Sequence, residues 1–198
     1  MKLSSFFFAL IILGFISAAP DLSASPQDQV YRTDARLEAS TGIPRALYFQ
    51  SKGPYKGTPE EKAREYLLEQ VKTLRLTPGL PDLTTVNVAE SPMGYHVTFQ
   101  QTVNDLPVYR SDIVVTVNRG DRVVFTVNNY KPNLKIESPR PKFQAADAIQ
   151  YARTYLKVTG KLIGEQSATL MVYAENPKKP RLAYRVIVPT EKPLGEWE

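Results

Sequence analysis

The first regular pattern of apolar residues in this chain has the spacing of a helix. They follow Thr58 and Pro59 at intervals of four and three residues, at Ala63, Leu67, Val71 and Leu74. That spacing places them on one face of a helix. Thr58 is a favourable N-cap, Pro59 suits the first helical position, and Glu61 completes a capping box. The sequence therefore predicts an amphipathic helix that begins after Thr58 and ends at residues 77–79.

The period of the apolar positions then changes to two. Val86 and Val88 alternate with polar residues. In the next segment every second position is taken by Tyr95, Val97, Phe99, Gln101 and Val103. Alternation is typical of strands with one buried face, and turn residues at 91–94, 104–105 and 119–121 separate four extended segments. We expect a four-stranded antiparallel meander with the helix across one face, and a loop rich in Gly and Pro before that helix. This first domain spans residues 42–130.

The same order of elements recurs in the second half. Residues 131–142 hold three prolines and no apolar periodicity, which predicts a linker. A second amphipathic helix follows in residues 145–156, and then two strands around a turn at 175–180. A further strand is expected to begin at Trp197 and to be cut off at Glu198, so the second domain, 143–198, is predicted to be incomplete. The predicted fold class is α+β: two small domains, each an amphipathic helix packed on an antiparallel β-sheet.

The first residues have the pattern of a secretion signal. Lys2 precedes an apolar run from residue 6 to residue 16, and small residues follow at Ser17, Ala18 and Ala19. This run is shorter than the roughly 20 apolar residues that a membrane helix needs. We therefore expect a cleaved signal at residues 1–19, a leader at 20–41, no stable membrane anchor, and a secreted protein in the medium or cell envelope.

Composition and chemistry argue against a catalyst. Cys is absent, and the single His cannot supply the two His of the H-E-x-x-H pattern of a zinc protease. No Ser stands in a G-x-S-x-G nucleophile elbow, which argues against a serine triad. The net charge of +5 comes from scattered Lys and Arg, which does not favour a nucleic-acid partner. His96 is expected on the outer face of its strand, with a switch or ligand role as the less favoured alternative. We expect no catalytic, cofactor or metal site in this chain.

Residues 95–112 carry a specific resemblance. They read Y-H-V-T-F-Q-Q-T-V-N-D-L-P-V-Y-R-S-D and resemble the signature of the fungalysin/thermolysin propeptide domain, FTP. Seven positions match the family pattern: Phe99, Gln100, Gln101, Asn104, Pro107, Val108 and Asp112. The family usually has Gly where Asp105 and Arg110 stand. Phe99 and Gln101 share a strand face that we expect to be the core face, whereas Gln100 points the other way as either a contact or a solvated residue.

The second half resembles PepSY, the domain that follows FTP in secreted zinc protease precursors. The similarity rests on residues 145–149, on residues 180–186 including Tyr184, and on residues 195–197 including Trp197. Together the resemblances imply a propeptide that helps a zinc metalloprotease to fold and holds it inactive. The partner would be the cognate catalytic domain, and zinc would belong to that domain alone. The alternative is a free-standing secreted PepSY/FTP binding module or protease inhibitor.

Overall fold

The structure is a computed structural model that describes residues 34–38, 41–48, 53–136 and 140–198. The predicted signal at residues 1–19 and residues 20–33 of the predicted leader lie outside the described residues. Within the described ranges, no helix is both long enough and apolar enough to span a lipid bilayer.

The predicted first helix is present, and its capping box is confirmed. Helix α1 spans Pro59–Glu69, and a short helix α2, Val71–Leu74, continues it after a break at Gln70. The Thr58 hydroxyl oxygen accepts a hydrogen bond from the Glu61 amide (3.2 Å), and the Glu61 carboxylate accepts one from the Thr58 amide (2.7 Å). This second bond lowers the pKa of Glu61. The capping box fixes where the helix begins.

The predicted meander is confirmed, and two further strands extend its sheet. Its strands are β3 (Leu83–Ser91), β4 (Gly94–Val103), β5 (Leu106–Asn118) and β6 (Val123–Asn128). Strands β1 (Asp34–Leu37) and β2 (Pro44–Tyr48) precede them, so the antiparallel order is β1-β2-β6-β5-β4-β3. The expected loop before the helix is therefore wrong for residues 44–48. Pro44 sits at the first position of its strand, where a missing N–H is tolerated.

The main core lies between helices α1 and α2 and one face of this sheet. Ala63, Leu67 and Leu74 are fully buried there against Val97 and Phe99 of β4. Burial of one helix face against a sheet is the main source of stability in such a layer.

The alternating valines of β3 do not belong to this core. Val86 stands at a β-bulge between Thr85 and Asn87 and is 57% exposed, and Val88 is 43% exposed. β3 is the edge strand of the sheet, so Val88 has a neighbouring strand on one side only. An expectation that the apolar members of each strand are buried is therefore wrong for Val86 and Val88, whereas Leu83 at the start of β3 belongs to the core.

The second half contains helix α3 (Ala145–Tyr155) and strands β7 (Ser167–Tyr173), β8 (Arg181–Glu191) and β9 (Leu194–Trp197). The strands form an antiparallel β7-β8-β9 sheet, and α3 contacts β7 and β8. The prediction that the last strand begins at Trp197 is wrong, because the strand starts at Leu194 and pairs back on β8 through a tight turn. No residue of α3 is buried, so this helix packs far more loosely than α1.

Strand β5 joins the two sheets. Its residue Val108 pairs in parallel with Val172 of β7, and both side chains are fully buried. Leu134 and Ile136, from the segment predicted as a linker, pack against this small cluster. The division into two domains stays a prediction, but the described part of the linker segment contributes to packing.

Candidate functional site

The FTP-like residues gather where β4 meets the start of β5. Gln101 is 1% exposed, and its side-chain amide donates to the Lys131 carbonyl (2.9 Å) while its carbonyl accepts from the Lys131 amide (3.0 Å). The Ser111 hydroxyl donates to the same Gln101 oxygen. One buried side chain thus ties β4, β5 and the chain after β6 together, which satisfies backbone groups at this corner.

Gln100 has a similar task on the other side of the strand. Its amide nitrogen lies 2.8 Å from the Val108 carbonyl and 3.1 Å from the Ser111 carbonyl, and donates to both. These two carbonyls bracket the irregular part of β5, where the register with β4 shifts. Gln100 therefore holds a bent backbone segment of its own chain, and a contact between Gln100 and a protease stays a prediction.

Both departures from the family pattern stand at positions where the backbone is left-handed. Asn104 and Asp105 have φ of 50° and 64° and form the tight turn between β4 and β5, and Arg110 has φ of 49°. Glycine adopts such φ values without steric cost, whereas residues with a Cβ atom adopt them at a cost in conformational free energy. The FTP family usually has Gly at positions 105 and 110, and in this chain the backbone at both positions has a conformation that Gly adopts easily.

The remaining motif residues support the same corner. Phe99 is fully buried beneath the Arg64 guanidinium, which lies 5.1 Å from its ring centre. Pro107 pairs with Thr102 at the start of β5. The Asp112 carboxylate accepts a hydrogen bond from the Asn129 side chain (3.2 Å), and so ties β5 to the end of β6.

Tyr184 and Trp197 lie on β8 and β9, in the second half. The Tyr184 hydroxyl donates to the Phe143 carbonyl (3.0 Å), and the Trp197 indole donates to the Pro193 carbonyl (3.3 Å). Both hydrogen bonds join residues within the second half, and neither belongs to the hydrogen-bond network around Gln101.

A stack of arginine and tyrosine side chains, which the sequence prediction missed, covers the junction of the two halves. Tyr109 and Tyr173 are stacked with ring centres 5.9 Å apart. The Arg110 guanidinium lies over the Tyr109 ring at 5.1 Å, and that of Arg181 lies over the Tyr173 ring at 5.0 Å. We call these four residues the Arg–Tyr stack. Each Tyr–Arg contact of this kind stabilises by about 0.5–1 kcal/mol at an exposed site. The only local sequence signal was the adjacent Tyr109 and Arg110.

Charged groups border the Arg–Tyr stack on two sides. Tyr109 donates a hydrogen bond to the Glu198 carboxylate (2.5 Å), which also pairs with Arg185 (3.0 Å). This hydrogen bond raises the pKa of Tyr109 and lowers the pKa of Glu198. The Lys131 ammonium donates to the carbonyls of Tyr109 and Arg110 (2.7 and 3.0 Å), and burial lowers its pKa.

The other chemical candidates have structural roles. A His96 ring nitrogen lies 3.0 Å from the Thr116 hydroxyl across two strands, on the face of the sheet away from the core. Glu60 accepts a hydrogen bond from Thr85 (2.6 Å). Among the described residues, no group of three or more His, Cys, Asp or Glu side chains could hold a metal ion.

Comparisons with known proteins place the motif. Residues 82–130 match the family model described as Fungalysin/Thermolysin Propeptide Motif. This span begins just before β3 and ends at Tyr130, so it contains the whole meander and leaves out α1. Among solved structures, the Bacillus megaterium YpeB C-terminal domain matches with a TM-score of 0.37 and 14% identity, over 76% of this chain and 64% of that chain. No curated protein matches the chain.

The motif indicates a protease propeptide of the thermolysin or fungalysin type. Its sequence signature corresponds in the structure to the hydrogen-bonded corner of Gln100 and Gln101 and to the left-handed positions at 105 and 110.

Proposed function

We propose that this chain is the propeptide region of a secreted zinc metalloprotease, which assists folding of the catalytic domain and inhibits it. The observation that carries the proposal is the match of residues 82–130 to the propeptide motif. The corner of β4 and β5 supports it, since its motif residues hold a rigid backbone segment that ends in the exposed residue Arg110.

Binding of the native protease explains both roles. A propeptide that binds the folded catalytic domain better than the unfolded one stabilises it by mass action. When the two are in one polypeptide, the effective concentration of the propeptide is in the millimolar range for a short flexible connection, so a modest interface is enough. The same chain supplied separately should inhibit more weakly. Zinc and the catalytic groups belong to the protease domain.

Inhibition in trans tests the proposal. The zinc metalloproteases that the source organism secretes would be purified, and hydrolysis of a fluorogenic peptide would be followed against increasing amounts of this chain. We expect dose-dependent inhibition of one of these enzymes at micromolar concentration, and faster recovery of activity when that enzyme is refolded with the chain.

The controls separate inhibition from competition and from unfolding. A heat-denatured sample should act only as a substrate, and circular dichroism should show that the native sample is folded. Inhibition of none of these proteases by the folded chain would overturn the proposal. Tight binding without inhibition would favour the secreted binding module instead.

A further inference from the structure

A broad basic groove lies between α3 and the β7–β8 hairpin, and it shares Arg181 with the Arg–Tyr stack. It encloses about 1350 Å³, and its described lining includes six basic side chains and one acidic side chain. The basic residues are Lys135, Arg140, Lys142, Lys178, Lys179 and Arg181. The described lining therefore has a surplus of five positive charges. We call this feature the basic groove.

Among the described lining residues, Asp147 is the only acidic one, and it is outnumbered by the six basic side chains. The Asp147 carboxylate accepts a hydrogen bond from the Gln144 amide (3.0 Å) at the start of α3. It is therefore engaged at the N-terminus of its own helix, where a negative charge is favourable. Lys178 and Lys179 extend from the exposed turn between β7 and β8. The groove consequently presents a positive field to any segment that enters it.

The floor and rim of the groove are apolar. Leu170, Leu182 and Val186 line it from β7 and β8, and all three are only partly buried. At the rim, Phe143 is 61% exposed and Tyr151 is 75% exposed. Exposed aromatic residues beside an apolar floor are typical of the centres of protein interfaces.

The size and chemistry of the groove define its occupant. Small-molecule sites usually enclose about 300–1,000 Å³, so this open groove is large for a small ligand. Aliphatic floor residues accept aliphatic side chains, whereas a single-stranded nucleic acid needs aromatic platforms along its path. We propose that the basic groove binds an acidic polypeptide segment with interspersed apolar residues, carried on the surface of the protease domain. Naming the protease as carrier rests on the proposed function above.

The first test needs no protease. Fluorescence polarisation would measure binding of a labelled 12-residue peptide of alternating acidic residues (Glu, Asp) and apolar residues (Leu, Phe). We expect binding that weakens as salt rises, and affinity at least about tenfold lower for the double variant K178E/K179E. The matched control is K56E/K72E, which makes the same charge change at two exposed lysines outside the groove and should bind like the wild type.

An aromatic pair on one helix tests the apolar rim. Tyr151 lines the groove, and Tyr155 on the same helix is 87% exposed and is not among the lining residues. We expect Tyr151→Ala to weaken peptide binding about tenfold and Tyr155→Ala to leave it unchanged. Because both tyrosines are exposed, neither change should unfold the chain.

Three outcomes would overturn the inference. They are absence of peptide binding, equal losses in the groove variants and their controls, and binding of an oligo(dT) strand as tight as that of the peptide. Inhibition assays then separate the two proposals. If the wild type inhibits a protease and K178E/K179E inhibits it equally well, the groove inference fails and the propeptide function stands. If the peptide binds and no protease is inhibited, the propeptide function fails.

Discussion

Replacement of Gln101 by Leu tests whether the motif glutamine is the structural centre of the corner. The change keeps a side chain of similar volume but removes both hydrogen bonds to the Lys131 backbone, at 2.9 and 3.0 Å, and the one from Ser111. Each buried polar group left without a partner costs about 1–3 kcal/mol. Lys131 is only half-buried, so water can reach part of the site. We therefore expect the free energy of unfolding to fall by about 2–3 kcal/mol.

Urea denaturation followed by far-ultraviolet circular dichroism measures this loss. The midpoint should fall while the slope with urea stays constant, because the folded chain buries nearly the same surface. Ser111→Ala is the matched variant, since it keeps both bonds between Gln101 and Lys131 and should cost only about 1 kcal/mol. A loss below about 0.5 kcal/mol for Gln101→Leu would refute the structural role.

Three further predictions concern the first sheet. Phe99→Ala should lower the free energy of unfolding by about 3–5 kcal/mol, measured in the same urea assay, because the ring is fully buried. Asp105→Gly should raise it by about 0.5 kcal/mol and Asp105→Ala should lower it, since φ is 64° there; equal effects would contradict this. Burial and Asp82 raise the pKa of Tyr130 to about 12, so its stabilising contribution is complete below pH 10 and is lost as pH rises through 12. Tyr130→Phe should therefore flatten the loss of stability between pH 10 and 12 in thermal melts, and an unchanged slope would refute the assignment.

The elements with strong local signals could be predicted from the sequence. The helix from Pro59 needs only its capping box and its three- and four-residue spacing, and β4 needs only its alternation. Strand β2 was missed because Gly and Pro on both sides resemble a loop, and its partner β6 lies about 80 residues further along the chain. Pairing between distant segments leaves no periodic signal in either of them.

For the candidate site, too, some features could be predicted from the sequence and others depended on contacts between distant residues. The sequence by itself determined the positions of the motif glutamines and of the two residues, 105 and 110, where the family usually has Gly. The left-handed backbone at these two positions became visible only in the structure. Only the tertiary structure decided what these residues hold. Gln101 reaches Lys131 across 30 residues, and Tyr109 stacks on Tyr173. The basic groove likewise arises only when the fold brings together basic residues from two stretches about 40 residues apart, because charge density depends on distances in space and not on order along the chain.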